Sequence, residues 1–286
     1  MIPIGLILEG GGMRGAFTAG VLDFFQEKEL WFSSVYGVSA GACQACSYLC
    51  HQPGRGIRVW KNYLNDKRFC SVSSLLRTGN LFNAHFNYDM IPRQLDPIDQ
   101  AAFDPRQVRF ISVVTNLRTG QAEYLPIRDM LGDMALIQAT ASLPLISRPV
   151  VIDGKKYLDG GVADSIPLEK SVADGNRKNV LILTQAPDYQ KEANRAMPLL
   201  SLRYSRYPAF LQAMRQRHIR YNDTLRFIRA EQAQGKAFVI QPDQKPEIGR
   251  IERDPAKLER LYQIGYEKAQ ALYPALLAFL HEPLQV

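Results

Sequence analysis

Two glycine-rich turns lie within the first fifty residues, and their order restricts what the chain can fold into. Residues 3–8 are a short apolar run of the kind that forms a buried parallel strand. The run ends at Glu9-Gly10-Gly11-Gly12-Met13-Arg14-Gly15, and residues 16–27 follow with Phe17, Val21, Phe24 and Phe25 near helical spacing. A second short strand, residues 33–36, leads into Gly37-Val38-Ser39-Ala40-Gly41, and residues 41–49 read as a helix of small and apolar residues. A serine between strand and helix, with Gly37 and Gly41 flanking it, has the sequence form of a nucleophile elbow. That turn is so tight that neighbouring side chains would collide without glycine. The order strand, glycine loop, helix, strand, elbow, helix is a parallel α/β start. The common α/β-hydrolase arrangement places several strands ahead of its elbow, and this start is too short for it.

The loop Gly10-x-Gly12-x-x-Gly15 also has the form of a dinucleotide fingerprint. That use requires an acidic residue at the end of the second strand, but this strand ends in Tyr36-Gly37-Val38-Ser39, and Glu27 and Glu29 come too early. A P-loop is excluded because no Gly-Lys-Ser/Thr closes the turn. A bare strand-to-helix turn with no ligand is the plain alternative. Beside an acyl-transfer serine, consecutive glycines at a helix N-terminus have a further use. Their backbone N–H groups are unobstructed and can hold a developing oxyanion, helped by the helix dipole. Gly11 and Gly12 are the candidates, and Arg14 either adds positive charge or holds the loop by hydrogen bonds.

A serine nucleophile needs a base. The four histidines are poor candidates: His51 closes the helix after the elbow, His218 sits in Arg215-Gln216-Arg217-His218, His85 is uncommitted and His281 is near a terminus. Neighbouring cations disfavour a proton-accepting imidazole at His218. Residues 150–158 read as a hairpin with Asp153-Gly154 in its turn, delivering Asp159-Gly160-Gly161. Glycines after an aspartate let the backbone approach another element closely. An ordinary aspartate loop at a strand end is the other reading.

These three signatures, the loop at 10–15, the pentapeptide at 37–41 and Asp159-Gly160-Gly161, resemble in order and spacing the patatin-like phospholipase family, most nearly its bacterial esterase branch. The run Ala139-Thr140-Ala141-Ser142-Leu143-Pro144 is similar to the small-residue segment that precedes the aspartate in that family. The resemblance covers roughly residues 4–185. It implies a three-layer α/β/α sandwich with a mainly parallel sheet, and a Ser-Asp dyad in which Ser39 is the nucleophile and Asp159 the general base. It implies no metal and no cofactor. The expected reaction is hydrolysis of carboxylic esters of acyl lipids through an acyl-enzyme. An acyltransferase using the same intermediate, and a catalytically idle lipid- or nucleotide-binding regulator, are the competing functions.

At 286 residues the expected organisation is a catalytic domain over residues 1–185 and a mostly helical C-terminal extension over 186–286. Long helices are expected at 208–234 and 255–280, with a short strand at 237–241 between them. Residues 71–90 are polar and aromatic, and read as either a lid over the elbow or a long loop. No apolar run is long enough to span a bilayer and no leader is legible, so a cytoplasmic protein is expected. Cys43, Cys46 and Cys50 share one face of the helix after the elbow and read as reduced packing residues rather than a zinc site. The net charge of +7 is concentrated, because the segment from Arg195 to Arg229 holds eight arginines and one acid, Asp223. With Tyr204, Tyr207, Phe210, Tyr221 and Phe227 interleaved, the segment reads either as a solvated helix pair or as a peripheral contact for the anionic inner face of a membrane. Nucleic acid is not an expected partner, since no recognition motif accompanies the charge.

Overall fold

A computed structural model describes residues 1–282; the last four positions of the expected C-terminal extension, 283–286, lie outside the described residues. Five strands run parallel in one sheet: β1 (Ile2–Leu8), β2 (Phe32–Val38), β3 (Arg109–Asn116), β7 (Asn179–Ile182) and β8 (Ala237–Ile240). Antiparallel β4 (Ala122–Ile127), β5 (Val150–Ile152) and β6 (Lys155–Asp159) complete it, in the order β5-β6-β3-β2-β1-β7-β8 with β4 on β3. The expected hairpin forms with Asp153 and Gly154 both at positive φ, 48° and 73°, the backbone that a tight two-residue hairpin turn requires.

Helices cover both faces. The first carries α1 (Gly15–Glu27), α2 (Ala40–Leu49), α3 (Arg55–Tyr63), α5 (Met134–Thr140) and α9 (Pro255–His281). The second carries α6 (Leu168–Ala173) and α8 (Pro208–Ala233). Strand β1 shows why both are needed: Ile4, Leu6 and Leu8 join the first core and Ile7 the second, so its unbroken apolar run is buried on both sides. Two short helices, α4 (Val72–Thr78) and α7 (Met197–Arg203), lie in the connections. Residues Phe86–Leu95 form a wide π-type helix with Pro92 inside it.

The C-terminal third is mostly helical, yet it is joined to the rest through the same sheet. Strand β8 hydrogen-bonds along β7, and α9 packs along α1. The two helices meet backbone to backbone: a Cβ on Gly20 would overlap the carbonyl of Tyr262, and one on Gly265 would overlap that of Phe17.

Register around β3 brings distant chain segments together. Val113 pairs with Val38 of β2, and the next residue, Val114, pairs with Asp159 of β6. Strand β4 occupies the other edge of β3 at both positions. Strands β2 and β6 therefore lie end to end along one edge of β3, and the residue after Val38 faces Asp159 across the junction.

Candidate active site

That residue is Ser39. It has φ 52° and ψ −122°, a backbone outside the regions that L-residues prefer and of the kind stored at functional turns. The turn is held on all sides. The Ser39 amide donates to Thr140 Oγ1 at 2.9 Å, and that hydroxyl donates to the Val113 carbonyl. A Cβ at Gly37 would strike Ala42, one at Gly41 the carbonyl of Leu8, and one at Gly10 Ser39 itself, so the elbow and the glycine loop touch directly.

Asp159 ends β6 and is 3% exposed. Its amide donates to the Ser142 carbonyl at 2.8 Å and its Oδ1 accepts the Gly161 amide at 2.7 Å. Among the described residues its Oδ2 is buried with no well-aligned partner. Burial raises the Asp159 carboxyl above the ordinary range. The Ser39 hydroxyl, the charge of Arg217, the Gly161 amide and the charge of Arg250 all oppose that rise. Gly160 lets the chain pass over Val113, where a Cβ would overlap the carbonyl.

The glycine loop faces the same point. Among the described residues the Gly11 and Gly12 amides have no protein acceptor, whereas the Met13 amide is taken by the Arg250 carbonyl at 3.0 Å. Gly12, at φ 59°, has no room for a Cβ beneath Arg250. Gly15 opens α1 against Ala40. Among the described residues the Arg14 side chain finds no hydrogen-bond partner that would hold the loop, and its Nε is buried. Just ahead of the loop, Glu9 accepts hydrogen bonds from the Tyr221 hydroxyl at 2.6 Å and the Thr184 amide at 2.7 Å.

Two cavities meet at Ser39. One, about 150 Å³, is walled largely by apolar and aromatic side chains, among them Met13, Trp60, Phe69, Phe82, Tyr88 and Ile137. Phe82, Asn87 and Tyr88 come from the stretch whose role was open in the sequence, and here it forms a wall of this cavity. Cys43 and Cys46 also line it, whereas Cys50 packs in the core; all four cysteines are free. The other cavity, about 30 Å³, joins the glycine loop and Ser39 to Asp159, Gly161, Arg14, Lys191, Arg217 and Arg250. No histidine lines either cavity. His51 stacks on Trp31 and His85 pairs with Asp89 at the surface.

Residues 6–171 match the patatin-like phospholipase family. The chain belongs to that family. Residues 207–281 match a second family, a domain of unknown function (DUF6363). The uncharacterized protein YjjU of Escherichia coli (strain K12) is 30% identical over 275 residues, covering 92% of this chain and 74% of that protein. A probable lipid hydrolase, 463L, of Invertebrate iridescent virus 6 is 22% identical over 194 residues, covering 61% of this chain and 65% of the viral one. The crystal structure of VipD from Legionella pneumophila shares the fold, with a TM-score of 0.50 at 13% identity over 96% of this chain and 67% of that one. The patatin-like architecture expected from the sequence is therefore present: a mainly parallel sheet between helical layers, with a helical C-terminal segment.

One expectation needs correction. Arg217 is not part of the surface patch with its neighbours. It points inward, where its Nε donates to the Gly161 carbonyl. A signal for this was present: Phe210, Met214, Arg217, Tyr221 and Ile228 fall on one helical stripe, and the other four are buried. Glu9, Thr184, Lys191 and Arg250 carried no comparable signal.

Proposed function

We propose that this patatin-like protein hydrolyses carboxylic esters of acyl lipids with Ser39 as nucleophile and Asp159 as general base. The observation that carries the reading is the buried, unpartnered Asp159 Oδ2 beside the strained Ser39 turn, between an apolar cavity and free glycine amides. Oδ2 accepts the Ser39 hydroxyl proton as Oγ attacks the ester carbonyl. The Gly11 and Gly12 amides hold the oxyanion. Collapse of the tetrahedral intermediate expels the alcohol, which takes the proton from Asp159. Water, deprotonated by Asp159, then attacks the acyl-Ser39 ester, and the fatty acid leaves as Oγ recovers its proton. The acyl chain occupies the apolar cavity. No metal or cofactor enters this cycle.

A fluorophosphonate probe tests the assignment. Labelling of the wild type and its loss in Ser39→Ala are expected, with Asp159→Asn losing at least about a thousandfold in turnover while remaining folded. A folded wild type that neither labels nor cleaves an ester panel would refute the hydrolase.

The same reading includes peripheral contact with an anionic membrane. On α7 and around it Leu199 and Leu202 are exposed beside the exposed Arg195, Arg203 and Arg206, and near an anionic surface each arginine contributes about 1 kcal/mol. Replacing Arg203, Arg206 and Arg215 by Gln should weaken binding to phosphatidylserine vesicles; unchanged binding would remove this contact.

A further inference from the structure

The small cavity beside Ser39 holds more positive charge than the proposed hydrolysis uses. Arg14, Lys191, Arg217 and Arg250 converge on it, and Glu9 and Asp159 are the acids that line it. Glu9 is already committed to Tyr221 and Thr184, and Asp159 to Gly161. Among the described residues none of the four cations is in an ion pair, and only Arg217, through Nε on the Gly161 carbonyl, has a protein acceptor. Lys191 instead lies against aromatic faces, its Nζ 4.0 Å from the Tyr221 ring centre and 5.5 Å from that of Tyr189. Arg14, Lys191 and Arg217 are half-buried and Arg250 is exposed, and like charges drawn together and partly desolvated without counter-ions are costly unless a ligand supplies the opposite charge. With Lys191 protonated and both acids ionised, the excess here is two positive charges.

Lys191, Arg217 and Arg250 also line a larger outer pocket of about 620 Å³, so the cluster stands at the junction between Ser39 and solvent. Two of these three, Arg217 and Arg250, come from the segment that matches the domain of unknown function. The Arg250 backbone is fixed against the glycine loop through the Met13 amide.

We propose that this cluster binds a phosphate monoester dianion, so that the substrate is an acyl ester whose alcohol carries a terminal phosphate, as in an acylglycerol phosphate. The proposal rests on the hydrolase reading for the ester, but the anion site stands on its own geometry. A dianion matches the excess charge, whereas the phosphodiester of a choline lipid supplies one negative charge and brings a cation with it. Arg14 lines the inner cavity alone, and Lys191, Arg217 and Arg250 stand between it and the outer pocket. Burial and the neighbouring Arg217 push the Lys191 ammonium down to about 7, with Arg250 and Arg14 adding to the fall and Glu9 opposing it. The outer pocket adds Lys245, Arg195, His218, Asp188 and Glu192. A bound dianion raises the Lys191 value again, so Lys191 takes up a fraction of a proton at pH 7, offset in part by the proton that the monoanionic fraction of the phosphate, with its second pKa at about 6, releases on binding.

Calorimetry of the Ser39→Ala protein with glycerol 3-phosphate, run in two buffers of different ionisation enthalpy, reads both affinity and proton uptake. Binding with uptake at pH 7 is expected. Lys191→Met should abolish the uptake and weaken binding at least tenfold, and Arg250→Gln should weaken it at least tenfold. Arg226→Gln, on the exposed face of α8, should leave affinity unchanged. With wild-type enzyme, kcat/KM for 1-acylglycerol 3-phosphate should exceed that for the matching monoacylglycerol and acylglycerophosphocholine at least tenfold, and Lys191→Met should collapse that ratio. No glycerol 3-phosphate binding would overturn the proposal even if esters are cleaved. Inorganic phosphate binding as tightly as glycerol 3-phosphate, with no substrate preference, would overturn the headgroup assignment. A protein that binds glycerol 3-phosphate but cleaves no ester would refute the hydrolase and leave the anion site supported.

Discussion

At the scale of single residues, Ser39 and Asp159 are both held in states that a stable fold would avoid. Ser39 carries backbone strain of the order of 1–3 kcal/mol. Asp159 is a buried carboxyl whose pKa lies above its ordinary value because of burial. Its ionisation therefore penalises folding at neutral pH, and the penalty fades as pH falls through the raised folded value toward the unfolded one. Asp159→Asn removes that penalty and should raise the melting temperature by about 2–4 °C, on the order of 1 kcal/mol, while abolishing turnover. A melting temperature at or below wild type, measured by differential scanning calorimetry at pH 7, would contradict it. The base must be ionised to act. The acid limb of kcat/KM should consequently lie above the value near 4 of an ordinary aspartate. A limb at or below 4 in a pH–rate profile would show that Asp159 is not the group that titrates.

At the scale of elements, the site depends on backbones that approach without side chains between them. Helices α1 and α9 cross at Gly20 and Gly265. Helix α1 starts at the glycine loop, so the crossing fixes the loop from behind. Tyr262 adds a hydrogen bond from its hydroxyl to Asp23 at 2.9 Å, and the Tyr266 hydroxyl bonds Glu27. Gly265→Ala must push the helices apart, with an expected loss of about 1–3 kcal/mol. Denaturant unfolding checks this, and an unchanged midpoint would mean that the crossing relaxes freely. The end-to-end junction of β2 and β6 works similarly. Neither strand alone aims a side chain at the other; β3 aligns both, with Thr140 and Ser142 tying each end in place.

At the scale of the whole molecule, the C-terminal third contributes to the sheet, to the covering of α1 and to the lining of the cavity at Ser39. Removing residues 186–286 would expose the edge of β7 and the apolar face of α1. A fragment of residues 1–185 is therefore expected to be insoluble or to lack a cooperative thermal transition. A soluble fragment with a sharp transition by circular dichroism would instead show that residues 1–185 form an independent domain. The charge of +7 divides in the same way. Most arginines of α7 and α8 face solvent, and Arg226 pairs with Asp223, but Arg217 turns into the site.

Local pattern alone determined a good deal. The apolar run of β1, the Asp153-Gly154 turn, the helical spacing of α8 and α9, and the glycines beside Ser39 and Asp159 are each written within a few residues, because turns and helix faces are short-range constraints. Contacts between distant positions were decided only by tertiary structure. The facing of Ser39 and Asp159 required the register of β3, and the wall built from Phe82 and Tyr88 required the π-type helix that begins at Phe86 and carries Tyr88. Glu9, Lys191 and Arg250 are ordinary charged residues along the chain. They became one electrostatic site when the sheet placed the end of β1 beneath a C-terminal loop, since charges act through space and their separation in sequence does not enter.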